Sequence, residues 1–125
     1  MAITTKLSDL IFGTPISAIE VPDHLNRTCA TNVDFVDSAM GGHGFTPSSV
    51  TLFTGEPGAG KTTMVLTVAS AVAKKKDAMC VFNTAEESLF QIKKTVNRLG
   101  LRGDFACGNS TEIDDVIAGC QKMMD

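Results

Sequence analysis

"LFTGEPGAGKTTMVLTVASAVAKKK", residues 52–76, sets a short apolar run, a glycine-rich turn and a long apolar segment in that order. Val50–Thr54 is β-rich and apolar, the composition of a short strand. Lys61–Lys75 is apolar on most of its faces through Met64, Val65, Leu66, Val68, Ala69 and Val72, as expected of a helix buried beside a sheet. Lys74, Lys75 and Lys76 close that helix, where their charge suits the negative end of its dipole.

Between strand and helix, Gly55-Glu56-Pro57-Gly58-Ala59-Gly60-Lys61-Thr62 fits the pattern GxxxxGK[ST]. Glycines let the backbone wrap closely around an anion, so consecutive N–H groups from Gly58 to Thr63 are expected to point at the α- and β-phosphates of a nucleotide, helped by the positive helix end. Lys61 reaches the β- and γ-phosphates in such a loop, the Thr62 hydroxyl completes a Mg²⁺ shell, and Thr63 is the expected α-phosphate contact. A plain turn would not account for a lysine at the buried start of an apolar helix, where an unpaired charge is costly. The expected ligands are therefore ATP and Mg²⁺.

Working outward, Met79–Asn83 is a second apolar run, followed by "NTAEES" and a helical pattern with Leu89, Ile92, Val96 and Leu99 on one face. Ser88 with Gln91 predicts a capping box at its start, and Gly100 is placed to end it. Asp104–Gly108 is a shorter strand candidate. Thr111 with Asp114 predicts another capping box, and Ile113, Val116, Ile117 and Cys120 form the stripe of a third helix. The order β-loop-α-β-α-β-α predicts an α/β fold, a parallel sheet with right-handed crossovers and flanking helices. Residues 1–48 carry turn chemistry instead (Gly13-Thr14-Pro15, Val21-Pro22-Asp23, Gly41-Gly42-His43-Gly44, Thr46-Pro47), with one short helix expected near Asp34–Met40.

The bulk composition narrows the functional classes. The chain has 125 residues with 43% hydrophobic content, enough for one core. Its 11 basic and 14 acidic residues give a formal charge of −3, which neither demands nor excludes a nucleic-acid partner. Cys29, Cys80, Cys107 and Cys120 stand far apart without ligand spacing, and read as buried thiols in a reducing compartment, not a zinc site. His24 and His43 are isolated. Met1–Phe12 is too short and too polar for a signal peptide or a membrane span, so the expected location is cytoplasmic.

Glu86 and Glu87 admit two readings. Acids are favoured at any helix N-terminus by its dipole. In an open parallel sheet, however, ligands lie outside the carboxyl ends of the strands, where the phosphate loop and the turn Ala85–Ser88 both emerge, and a carboxylate there could orient the water that attacks a γ-phosphate.

Two blocks, "VDFVDSAMGGHGFTPSSVTLFTGEPGAGKTTMVLTVASAVA" and "NTAEESLFQIKKTVNRLGL", resemble the ATPase core of the RadA/Sms-type DNA-repair ATPases, RecA-like P-loop proteins related to KaiC and the DnaB-type helicases. The second block is the more specific, since many ATPases share the loop. The resemblance runs from about Arg27 onward, dividing the chain into a lead-in, 1–26, and a partial RecA-like ATPase domain, 27–125. It implies that Glu86 is the catalytic glutamate acting with Lys61, that Glu87 is its structural neighbour, and that the whole protein is a DNA-dependent ATPase of recombination and repair. Single-stranded DNA and a homo-oligomeric ring are the implied partners, with no membrane.

The sequence departs from that family in three places. Residues 1–26 hold no cysteine where the family has a zinc ribbon, Thr95-Val96 replaces an Arg-Ala pair, and "GGHGFTPSS" has one residue more than the usual turn. No candidate for the Walker B strand follows the third helix, and Asp114 and Asp115 lie in that helix's first turn. Hydrolysis is therefore expected to need a C-terminal half of the core. The alternatives are a non-catalytic nucleotide-binding module, a KaiC-like signalling ATPase without DNA contact, and a small-molecule kinase.

Overall fold

The computed structural model describes residues 12–125, so the expectation for the extreme N-terminus lies outside the described residues. The chain forms two compact units, the first extending to Leu52 and the second spanning Phe53–Asp125.

In the first unit, prolines start two 3₁₀ turns, Ile16–Ala18 and Asp23–Asn26, in which the Ala18 and Leu25 N–H groups donate to the carbonyls of Pro15 and Pro22. Helix α1, Asp34–Ala39, falls where the short helix is expected. Its start is organised by Asp37, whose carboxylate accepts from the Thr31 N–H and hydroxyl at 2.9 and 2.7 Å and from the Asn32 N–H at 3.1 Å. The Thr31 hydroxyl, wholly buried, also accepts from the Val33 N–H, so its polar atoms are satisfied inside. The helix ends in a Schellman motif, with Gly42 N–H on the Asp37 carbonyl and Gly41 N–H on that of Ser38. Both glycines have positive φ, which explains the glycine pair in "GGHG". Reciprocal backbone bonds between Cys29 and Phe45, both 2.8 Å, close the loop. Gly44, at φ +85°, lies so near the Cys29 carbonyl that a Cβ would overlap it.

The second unit carries α2 (Lys61–Ala73), β1 (Val81–Asn83), α3 (Leu89–Leu99), β2 (Ala106–Gly108) and α4 (Ile113–Met124). β1 and β2 pair in parallel with Val81 opposite Ala106 and Asn83 opposite Gly108, as the strand-helix-strand order predicts. The sheet among the described residues has these two strands. Val50–Thr54, expected as a strand, makes no ladder there, and Val50 and Leu52 are 100% and 83% exposed. An apolar β-rich run becomes a strand only when a neighbour supplies hydrogen bonds, so composition alone overstated it.

The core of this unit centres on α2 and α3. Leu66 and Ala69 are buried on α2 and Ile92 on α3, with Leu89, Val96 and Leu99 half-buried beside it. The Phe82 and Phe105 rings tilt together across the two strand segments with centroids 6.0 Å apart. Ser70 is also buried, and its hydroxyl accepts from the Gly103 N–H at 2.8 Å. Gly103 passes so close that a Cβ would overlap the Ser70 carbonyl, which explains glycine at that position.

The predicted capping box on α3 forms. Gln91 N–H donates to Ser88 Oγ at 3.2 Å and Ser88 N–H to Gln91 Oε1 at 3.3 Å. Gly100, in the left-handed region, ends the helix with a second Schellman motif, Leu101 N–H bonding the Val96 carbonyl. Replacing the cap, Ser88→Ala, should lower stability by about 1 kcal/mol in a denaturant titration, because one helix-end N–H loses its acceptor. An unchanged midpoint would show that the box contributes nothing to folding.

Three expectations need correction. Thr111 does not cap α4: Glu112 occupies the N-cap without a side-chain bond, and the Ser110 hydroxyl takes the Glu112 N–H at 3.2 Å. The α4 stripe is only partly covered, with Val116 and Cys120 half-buried but Ile113 and Ile117 exposed. The cysteines are not buried thiols: Cys107 is exposed and the others are half-buried, all four free of disulfides.

Candidate nucleotide site

The phosphate loop runs from Gly55 to α2. Gly58 at φ +81° and Gly60 at φ +93° supply the left-handed steps that turn the chain into the helix, and a Cβ at either would meet open space. Conformation, not crowding, is what requires glycine there. Ala59 N–H donates back to the Glu56 carbonyl at 3.1 Å, across Pro57 and Gly58, which sets the loop's curvature. Five N–H groups of the expected cradle, those of Gly58, Gly60, Lys61, Thr62 and Thr63, have no acceptor among the described residues. The sixth, on Ala59, is used within the loop itself.

Lys61 is the first residue of α2 and half-buried, and its Nζ donates to the Gly55 carbonyl at 2.6 Å. The ammonium thus folds over the loop that its own helix begins, with no carboxylate partner among the described residues. A concavity with free N–H donors, an ammonium without a carboxylate beside it and a helix N-terminus has the chemistry of a polyphosphate site. Thr63 turns its carbonyl to the Thr67 hydroxyl at 2.7 Å, leaving its own N–H for a ligand.

Thr62 opens on a cleft of about 290 Å³ whose walls include Phe82, Thr84, Glu86, Glu87 and Ile92. The fold therefore brings the hydroxyl expected at Mg²⁺ and the carboxylate expected at water to one cavity, although the sequence carries them on separate elements. Glu86 and Glu87 are both exposed, and the Glu86 carboxylate makes no hydrogen bond or ion pair among the described residues. No acidic partner for the metal is added by α4, where Asp114 and Asp115 are exposed in the first turn. No cluster of three or more metal-ligating side chains occurs among the described residues, and His24 and His43 are exposed.

Two residues of this region were not singled out from the sequence. Thr84 is buried at the end of β1, its hydroxyl bonded to Glu87. Asn83 extends the β-ladder by side chain, donating to the Ser110 carbonyl at 2.9 Å and accepting from the Ser110 N–H at 3.1 Å. The available signal was the Thr-x-x-Glu spacing of "TAEE", since threonine hydroxyls close local turns onto residues just downstream.

A glycine-rich loop opening a helix beside a parallel strand-helix-strand unit defines a P-loop protein of the RecA-like α/β class, represented here by a partial domain. The chain belongs to the KaiC ATPase family, whose pattern matches residues 29–107. It is similar to the DNA repair protein RadA of Mycobacterium tuberculosis, 37% identical over 107 residues, which covers 86% of this chain and 20% of that protein. The RadA proteins of Escherichia coli, 37% identical over 99 residues (79% of this chain, 18% of theirs), and of Haemophilus influenzae, 45% over 69 residues (55% and 14%), are also similar. The chain thus spans about a fifth or less of the length of these relatives. No solved structure matches it. No helix among the described residues is long and apolar enough to cross a membrane.

Proposed function

We propose that this chain is the Mg²⁺-ATP-binding part of a RecA-like ATPase that acts in DNA repair and recombination and depends on single-stranded DNA. The observation that carries the reading is the shared cleft of Thr62 and Glu86 beside a loop of unpaired N–H donors. The backbone from Gly55 to Gly60 wraps the phosphates, Lys61 neutralises the charge on the β- and γ-oxygens, and Thr63 contacts the α-phosphate. Thr62 holds Mg²⁺, which supplies Lewis-acid polarisation of the phosphoryl oxygens when bound. Glu86 orients the attacking water and accepts its proton.

The part played by DNA is drawn from the relatives named DNA repair protein RadA, and the ring-shaped homo-oligomer from the resemblance. Hydrolysis needs the C-terminal half of the core in this reading, so Glu86→Gln tests its catalytic part in the longer protein that carries that half: Mg²⁺-ATP affinity should stay within about threefold while single-turnover hydrolysis falls by about 10²-fold or more. Equal hydrolysis by both proteins would remove Glu86 from the chemistry. A KaiC-like ATPase without DNA contact is favoured instead if single-stranded DNA neither binds nor changes hydrolysis, a reading to which the family match at residues 29–107 lends weight.

A further inference from the structure

The Glu86 carboxylate has no partner of its own among the described residues, so only the backbone of its turn fixes its position. That turn hangs between two anchors. On one side Thr84 N–H donates to the Gly108 carbonyl at 3.0 Å, tying the end of β1 to the sheet. On the other, Ser88 is locked to Gln91 by the capping box of α3. Ala85, Glu86 and Glu87 span the gap.

The Thr84 hydroxyl closes it. It donates to the Glu87 carbonyl at 3.1 Å and accepts from the Glu87 N–H at 3.2 Å, so a single oxygen grips both backbone polar groups of the residue after Glu86. Thr84 is buried, 8% exposed, and lines the same cleft as Thr62 and Glu86. A hydroxyl placed there is not needed to fill space. A valine would fit the same volume with the β-branched shape a strand end favours, but it would leave two Glu87 groups without their partner.

We infer that Thr84 is a positioning residue for Glu86: its hydroxyl holds the turn at Glu87 so that the Glu86 carboxylate faces the Thr62 side of the cleft. The inference rests on the proposed role of Glu86 and adds the element that keeps a solvent-exposed carboxylate in one place. Reaction geometry is sensitive to such supports, since a displacement of about 1 Å at a catalytic group costs on the order of 10²-fold in rate.

The test compares binding of Mg²⁺-ADP with that of Mg²⁺-ADP-aluminium fluoride, which mimics the transferred phosphoryl group, by calorimetry on the longer protein that carries the C-terminal half of the core, as wild type and as Thr84→Val, Thr84→Ser and Glu86→Gln. The wild-type protein should bind the analogue more tightly than Mg²⁺-ADP. Thr84→Val and Glu86→Gln should both lose that preference by about 10²-fold with Mg²⁺-ADP affinity held within about threefold. Thr84→Ser, which keeps the hydroxyl, should recover most of it, and adding Thr84→Val to Glu86→Gln should change nothing further. If Glu86→Gln loses the preference and Thr84→Val keeps it, the positioning role falls and the catalytic reading stands. If Glu86→Gln keeps it, or the wild-type protein shows no preference, both fall together. A Thr84→Val protein that loses Mg²⁺-ADP and the analogue equally would also overturn the inference, because the hydroxyl would then serve the fold alone.

Discussion

Lys61→Ala should abolish tight Mg²⁺-ATP binding, raising Kd by about 10²-fold or more in a calorimetric titration. The ammonium makes two contributions that alanine cannot replace. It bridges the loop by its 2.6 Å bond to the Gly55 carbonyl, and it carries the charge that no carboxylate among the described residues neutralises. A charge-assisted hydrogen bond contributes about 1.5–3 kcal/mol, and each 1.4 kcal/mol is about tenfold in Kd, so the loss of one or two to phosphate gives the expected change. Lys61 opens α2, so the helix has little need of it for folding, and the variant should keep its circular dichroism. Binding by the variant within about threefold of wild type would mean that the loop is a turn and not a phosphate site.

The second large effect concerns stability. Leu66 is fully buried, among the largest side chains so enclosed in the described residues, on the helix that the phosphate loop begins. Leu66→Ala should cost about 3 kcal/mol, from lost transfer free energy plus the cavity left where neighbours cannot collapse. Against a typical stability of about 5–15 kcal/mol this is a large fraction, read as a fall in the urea midpoint at unchanged slope. Val50→Ala, at a side chain that is 100% exposed, is the matched control and should stay within about 0.5 kcal/mol. Equal effects of the two would place the core elsewhere.

The nucleotide loop and the Glu86 turn meet only through folding. Motif spacing located each of them because the relevant constraints are local: a left-handed step at Gly58 and Gly60, a lysine at a helix start, acids before a helix cap. The Ser88–Gln91 box was legible for the same reason, as both partners lie within one helical turn. A similar pattern failed at Thr111, because Ser110 captured the Glu112 N–H and the helix began later. Val50–Thr54 failed for another reason, since a strand is defined by its neighbour and not by its own composition.

By itself, then, the sequence determined the phosphate loop, the order of helices and strands from α2 onward and the parallel pairing of β1 with β2, all of which follow from short-range backbone chemistry and handedness. Tertiary structure alone decided that Ser70 is buried against Gly103, 33 residues away, and that Thr62 shares a cleft with Glu86. Those outcomes depend on which surfaces are packed together, and a buried hydroxyl is stable only where the fold delivers its partner.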